Sequence, residues 1–87
     1  MSLQIVYAPS FLRQIKSLEK LLLEEAVEKI ELLKNEDSHK FLKVHKLKGK
    51  MGGLYSFSVN YKFRIVFQYE SKNAVDLLWI GTHDIYE

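Results

Sequence analysis

The chain has 87 residues, of which 47% are hydrophobic and 28% charged. A chain of this length makes one domain, residues 1–87, and covers roughly two-thirds of the surface of its unfolded form, so any active site is a shallow surface feature. No cysteine is present, which excludes disulfides, thiolate nucleophiles and iron–sulfur ligation. The net charge of +2 hides an uneven division: residues 40–64 carry seven basic side chains and no acidic one, while the remainder carries six basic and all eleven acidic residues.

In chain order, residues 4–8 form a short β-prone run that stops at Pro9, which cannot continue an internal ladder. Phe11, Ile15, Leu18 and Leu22 fall on one helical face, with a helix break expected between Ser17 and Lys20 and Ser17 capping the second helix. Leu22, Leu23, Ala26, Ile30 and Leu33 make the buried stripe of that second helix, which runs to about Asn35. Beyond the polar stop at residues 35–38 the periodicity changes to that of sheet. Strands are expected over residues 41–47, 54–59, 62–69 and 74–83, separated by a glycine-rich loop at residues 49–53 and by turns at Asn60-Tyr61 and residues 70–73. Phe11, Ile15, Leu22, Ala26, Ile30, Val66 and Leu78 are the expected core.

The order of elements predicts an α+β fold, with two amino-terminal helices packed on one face of a small curved, mainly antiparallel sheet. The other face is then free, and Ser56, Ser58, Lys62 or Arg64, and His83 can meet on it. No segment approaches the ~20 apolar residues of a membrane span, and the amino-terminus has no basic leader followed by an apolar stretch. A soluble, unprocessed, cytoplasmic protein that uses no membrane partner is expected. The basic half suits a polyanion whose phosphates exchange counterions for lysine and arginine.

The segments Val44-His45-Lys46-Leu47-Lys48-Gly49, residues 55–59, Phe63-Arg64-Ile65-Val66-Phe67 and Leu78-Trp79-Ile80-Gly81-Thr82-His83 together resemble toxins of the RelE/ParE superfamily, in particular the YafQ-like branch of type II toxin–antitoxin systems. The resemblance spans nearly the whole chain. It implies a metal-independent, cofactor-free endoribonuclease that cuts messenger RNA in the ribosomal decoding site, with a cognate antitoxin as protein partner. In that reaction the ribose 2′-hydroxyl attacks the adjacent phosphate, which requires a base, positive charge for the phosphorane and an acid for the departing 5′-oxygen.

Histidine can take either proton-transfer role near neutral pH. The resemblance places the proton donor at His83, a base or RNA-orienting group at His45, and a phosphate-stabilising fork at Arg64. Pairing with Asp76 on the neighbouring strand is the structural alternative for Arg64. Lys46, Lys48, Lys50 and Lys62 are expected to neutralise RNA backbone, and His39 to be a bystander. Trp79 stands where some RNA-cleaving relatives carry arginine; a tryptophan there can stack on a base or fill core, and core is the expected role. Only Asp84 and Ile85 separate His83 from Tyr86, one residue fewer than in related chains. The alternative function is that of a ParE-like toxin, which binds DNA gyrase without catalysis, although a pure binding module has no need of a proton donor at His83.

Overall fold

The computed structural model describes residues 2–82. Its elements run β1 (Gln4–Tyr7), α1 (Pro9–Ile15), α2 (Lys20–Leu33), a 3₁₀ turn (Glu36–Ser38), β2 (His45–Lys46), a second 3₁₀ turn (Gly49–Met51), β3 (Tyr55–Ser58), β4 (Phe63–Ser71) and β5 (Ala74–Thr82). The five strands form one sheet in the order β1-β5-β4-β3-β2. Strand β1 lies parallel to β5, and every other pair is antiparallel. The helices form the crossover between β1 and the meander, so the α+β expectation holds.

Both helices bury their apolar stripes against one face of the sheet. Phe11 of α1 and Ala26, Ile30 and Leu33 of α2 join Phe57, Ile65, Phe67, Val75, Leu77 and Ile80 in a continuous core. Ile15 and Leu22 pack at its margin. Tyr55, Phe57, Phe67 and Tyr69 form an aromatic row, with Tyr55 and Tyr69 edge-on at 5.0 Å between ring centres. Burial, followed by the neighbouring Tyr55 and Glu36, raises the Tyr69 phenol above its ordinary pKa, so it remains protonated.

Three expectations need correction. Ser17 does not cap α2: Glu19 is the residue before it, and the Ser17 hydroxyl donates back to the Gln14 carbonyl at 3.0 Å. The strand expected over residues 41–47 is reduced to His45–Lys46. The Asn35 side chain accepts from the Asp37 amide and opens a run of helical turns, continued by bonds from Leu42 to Ser38 and from Lys43 to Lys40. That run closes at Lys43, whose φ of 58° is left-handed, a conformation that ends helical turns. Leu42 is therefore buried while Phe41 is 69% exposed. Leu78 is half-buried and outside the core, whereas Val66 is fully buried as expected, on the sheet face away from the helices.

The departure of Leu78 has its cause in β5. Leu77 pairs with Phe67 and Trp79 with Val66, leaving Leu78 as an extra residue in a β-bulge. The bulge reverses the alternation, so Leu77 and Ile80, three residues apart, both reach the core. Beyond the end of β1, helix α1 satisfies the free edge of β5 with side chains. The Ser10 hydroxyl donates to the Leu78 carbonyl at 2.7 Å. Gln14 donates to the Ile80 carbonyl at 3.0 Å and accepts from the Ile80 amide at 2.8 Å. Gln14→Ala is expected to destabilise the fold by about 2 kcal/mol, since two bonds of about 1 kcal/mol each are lost and backbone groups are left unpaired. Urea unfolding followed by circular dichroism measures it, and an unchanged midpoint would contradict this role.

Candidate active site

Two rows of paired residues define the sheet face away from the helices. Directly opposite residues on neighbouring strands share a face, so His45, Ser56, Val66 and Trp79 form one row. Ser58, Arg64 and Gly81 form the next. The expected gathering of Ser56, Ser58 and Arg64 on one face is thus observed, but the face is not open throughout. Ser56 and Val66 are fully buried and Arg64 is only 7% exposed. Alternation from His45 brings Leu47, also buried outside the main core, to the same side. The Ser56 hydroxyl is buried and has no hydrogen-bond partner among the described residues.

Arg64 Nη1 donates to Ser58 Oγ at 2.8 Å. Among the described residues no carboxylate forms an ion pair with it. Asp76 does not serve this purpose, because the register sets it opposite Gln68, four residues further along β4, where Gln68 Nε2 lies 3.4 Å from Asp76 Oδ2. Arg64 is therefore a mostly buried cation held by a neutral hydroxyl. Such a charge is costly to bury, and an incoming anion would offset that cost. Its planar fork matches phosphate oxygens.

His45 is exposed, and its Nδ1 lies 3.2 Å from the Lys43 carbonyl oxygen. A carbonyl can only accept, so Nδ1 carries the proton in this contact and the neutral ring leaves its lone pair on Nε2. The left-handed Lys43 residue presents that carbonyl. His39 differs: its Nε2 meets the Leu33 carbonyl at 2.8 Å, satisfying a terminal group of α2. Lys46, Lys48, Lys50 and Lys62 are exposed. Lys46 alternates to the side of Tyr55, whereas Lys48 and Lys50 flank Gly49 at the second 3₁₀ turn. Gly49 has a φ of 68°, where a side chain would be strained. Lys62 extends over the Phe63 ring, 5.6 Å from its centre. His83 lies outside the described residues, as do Asp84 and Tyr86.

Trp79, expected in the core, is half-buried and belongs to the Arg64 face. The sequence gives no warning, because Leu77, Leu78, Trp79 and Ile80 are all apolar and fit either phase of the strand. Among the described residues no cluster of histidines and carboxylates could hold a metal ion.

The model of the HigB-like toxin family, described as RelE-like toxins of the type II toxin–antitoxin system HigB, matches residues 9–83. The chain belongs to this family. It is thus a type II toxin of the RelE/ParE superfamily, as its motifs imply. No curated protein matches it. Among solved structures, YafQ from Escherichia coli strain BL21(DE3) superposes with a TM-score of 0.76 at 17% identity, covering 95% of this chain and 96% of YafQ. The YoeB/ParE toxin from Agrobacterium tumefaciens gives 0.74 at 19% identity, covering 93% of this chain and 99% of that one. The YoeB–YefM complex from Staphylococcus aureus gives 0.72 at 21% identity, covering 95% of this chain and 99% of that one. At these identities the likeness establishes the fold of the toxin.

The isolation of Arg64 leads to a stability prediction. Arg64→Met keeps much of the side-chain volume and removes a buried charge, so the toxin should become as stable or more stable, by about 1 kcal/mol or more. A urea midpoint well below that of the parent would mean that the guanidinium is a structural element.

Proposed function

We propose that this toxin is a ribosome-dependent endoribonuclease of the YafQ-like kind, a single-domain cytoplasmic protein restrained by a cognate antitoxin. It cuts messenger RNA in the decoding site by attack of the ribose 2′-hydroxyl on the adjacent phosphate, releasing a cyclic phosphate and a 5′-hydroxyl. The observation that carries this reading is the mostly buried Arg64, bonded to Ser58 and without an ionic partner among the described residues. An uncompensated guanidinium beside the sheet face suits the phosphorane, whose added negative charge it stabilises more strongly than that of the ground-state phosphate.

His45 is the base in this reading. Its Nε2 lone pair accepts the 2′-hydroxyl proton while Nδ1 stays bonded to the Lys43 carbonyl. Strands β2 and β4 flank β3, so the backbones of His45 and Arg64 are roughly 10 Å apart across the sheet and about 7 Å along it. Two long side chains can converge on one phosphodiester from those positions. His83 donates the proton to the departing 5′-oxygen, a role carried over from the terminal Gly81-Thr82-His83 motif. Lys46, Lys48, Lys50 and Lys62 add positive charge for backbone contacts without sequence readout.

Single-turnover cleavage on programmed ribosomes tests the chemistry. His83→Gln should slow cleavage by about 10²-fold or more while leaving ribosome binding intact, and Arg64→Ala should slow it by a similar factor through lost charge stabilisation. Wild-type cleavage by His83→Gln would remove that residue from the mechanism. A parent protein that never cleaves RNA but poisons gyrase would establish the ParE-like alternative.

The lysines make a separate prediction. Changing Lys46, Lys48 and Lys50 together to glutamate should weaken ribosome binding and reduce its salt dependence. Binding that retains the parental salt slope would exclude these lysines from the RNA surface.

A further inference from the structure

The bulge at Leu78 has a consequence for Trp79. Without it, Trp79 would share the phase of Leu77 and point into the core among the helices. With it, the indole sits in the row of Val66, Ser56 and His45, and is a diagonal neighbour of Arg64 across the β4–β5 pair. Diagonal neighbours lie about 7–8 Å apart. The position directly opposite Arg64 is Gly81, so no side chain stands there between guanidinium and indole. Trp79 is only half-buried and takes no part in the aromatic row of Tyr55, Phe57, Phe67 and Tyr69. A large flat apolar side chain is therefore turned out of the core and set beside a cation that has no ionic partner among the described residues.

We propose that Trp79 is a stacking platform for a nucleobase of the RNA, next to the phosphate held by Arg64. The proposal rests on the ribonuclease reading and adds a binding residue to it. An aromatic face beside a guanidinium matches a nucleotide in both of its parts, since the base has a π-face and the phosphate has charge. Stacking of this kind tolerates any base, so Trp79 contributes hold and orientation without sequence choice. A bulge that re-aims one side chain beside a site is a known use of that irregularity.

Trp79 is the only tryptophan of the chain, which makes it its own probe. A short single-stranded RNA should quench the intrinsic fluorescence of the parent protein at low salt, and an abasic strand of equal length and charge should not. In single-turnover cleavage on programmed ribosomes, Trp79→Phe should stay within a few-fold of the parent, while Trp79→Leu and Trp79→Ala should each lose roughly 10- to 100-fold. Leucine fills apolar space without an aromatic face, so rescue by Phe and not by Leu separates stacking from packing; thermal melting of each variant confirms that it folds. If the parent cleaves and Trp79→Leu cleaves equally well, the stacking role is wrong and the ribonuclease reading stands. If the parent does not cleave yet its fluorescence responds to RNA and not to the abasic strand, the ribonuclease reading falls and the platform remains. Equal quenching by both strands would overturn the platform.

Discussion

One extra residue in β5 sets the relation between core and site. Leu77 and Ile80 are both needed under the helices, and three residues separate them, an odd interval that a regular strand cannot accommodate on one face. The bulge at Leu78 resolves the conflict and leaves Trp79 and Gly81 on the face of Arg64. It comes where β1 has ended and β5 has lost its parallel neighbour. The side chains of Ser10 and Gln14 take over the backbone groups of Leu78 and Ile80 there. Helix α1 is consequently both a core layer, through Phe11, and a substitute for the missing end of a strand.

The second constraint is the charge at Arg64. A guanidinium at the second position of β4, flanked by Phe63, Ile65 and Val66, opposes the local apolar pattern. Among the described residues it is met by one hydroxyl from the adjacent strand and by no carboxylate. A carboxylate partner would compete with any incoming anion, so a neutral partner keeps the fork available at some expense in stability. Departures from local consistency of this kind concentrate at functional sites. Asp76, with one carboxylate oxygen buried and unpaired among the described residues, remains with Gln68 at a different place on the sheet.

The segment between α2 and β3 gives two histidines different roles through backbone geometry. His39 is bonded to the last turns of α2 and is part of the scaffold. His45 is exposed and receives its orientation from the carbonyl of the left-handed Lys43. A non-glycine residue in that conformation is uncommon. Here it ends the helical turns and begins the edge strand in one step.

The sequence by itself determined the architecture, because the signals involved are local. The helical stripe around Phe11, Ala26 and Ile30, the alternation in residues 54–59 and the turn at Asn60, whose side chain accepts from the amides of Lys62 and Phe63, all act within a few residues. The family motifs likewise singled out Arg64 and His45 and named His83. Only the tertiary structure decided what depended on pairing between distant segments. The register placed Ser58 rather than Asp76 beside Arg64, the capped turns after Asn35 consumed most of the expected second strand, and the bulge moved Trp79 out of the core. Each of these depends on which backbone groups find partners across the sheet, and an apolar run such as residues 77–80 has the same appearance in either phase.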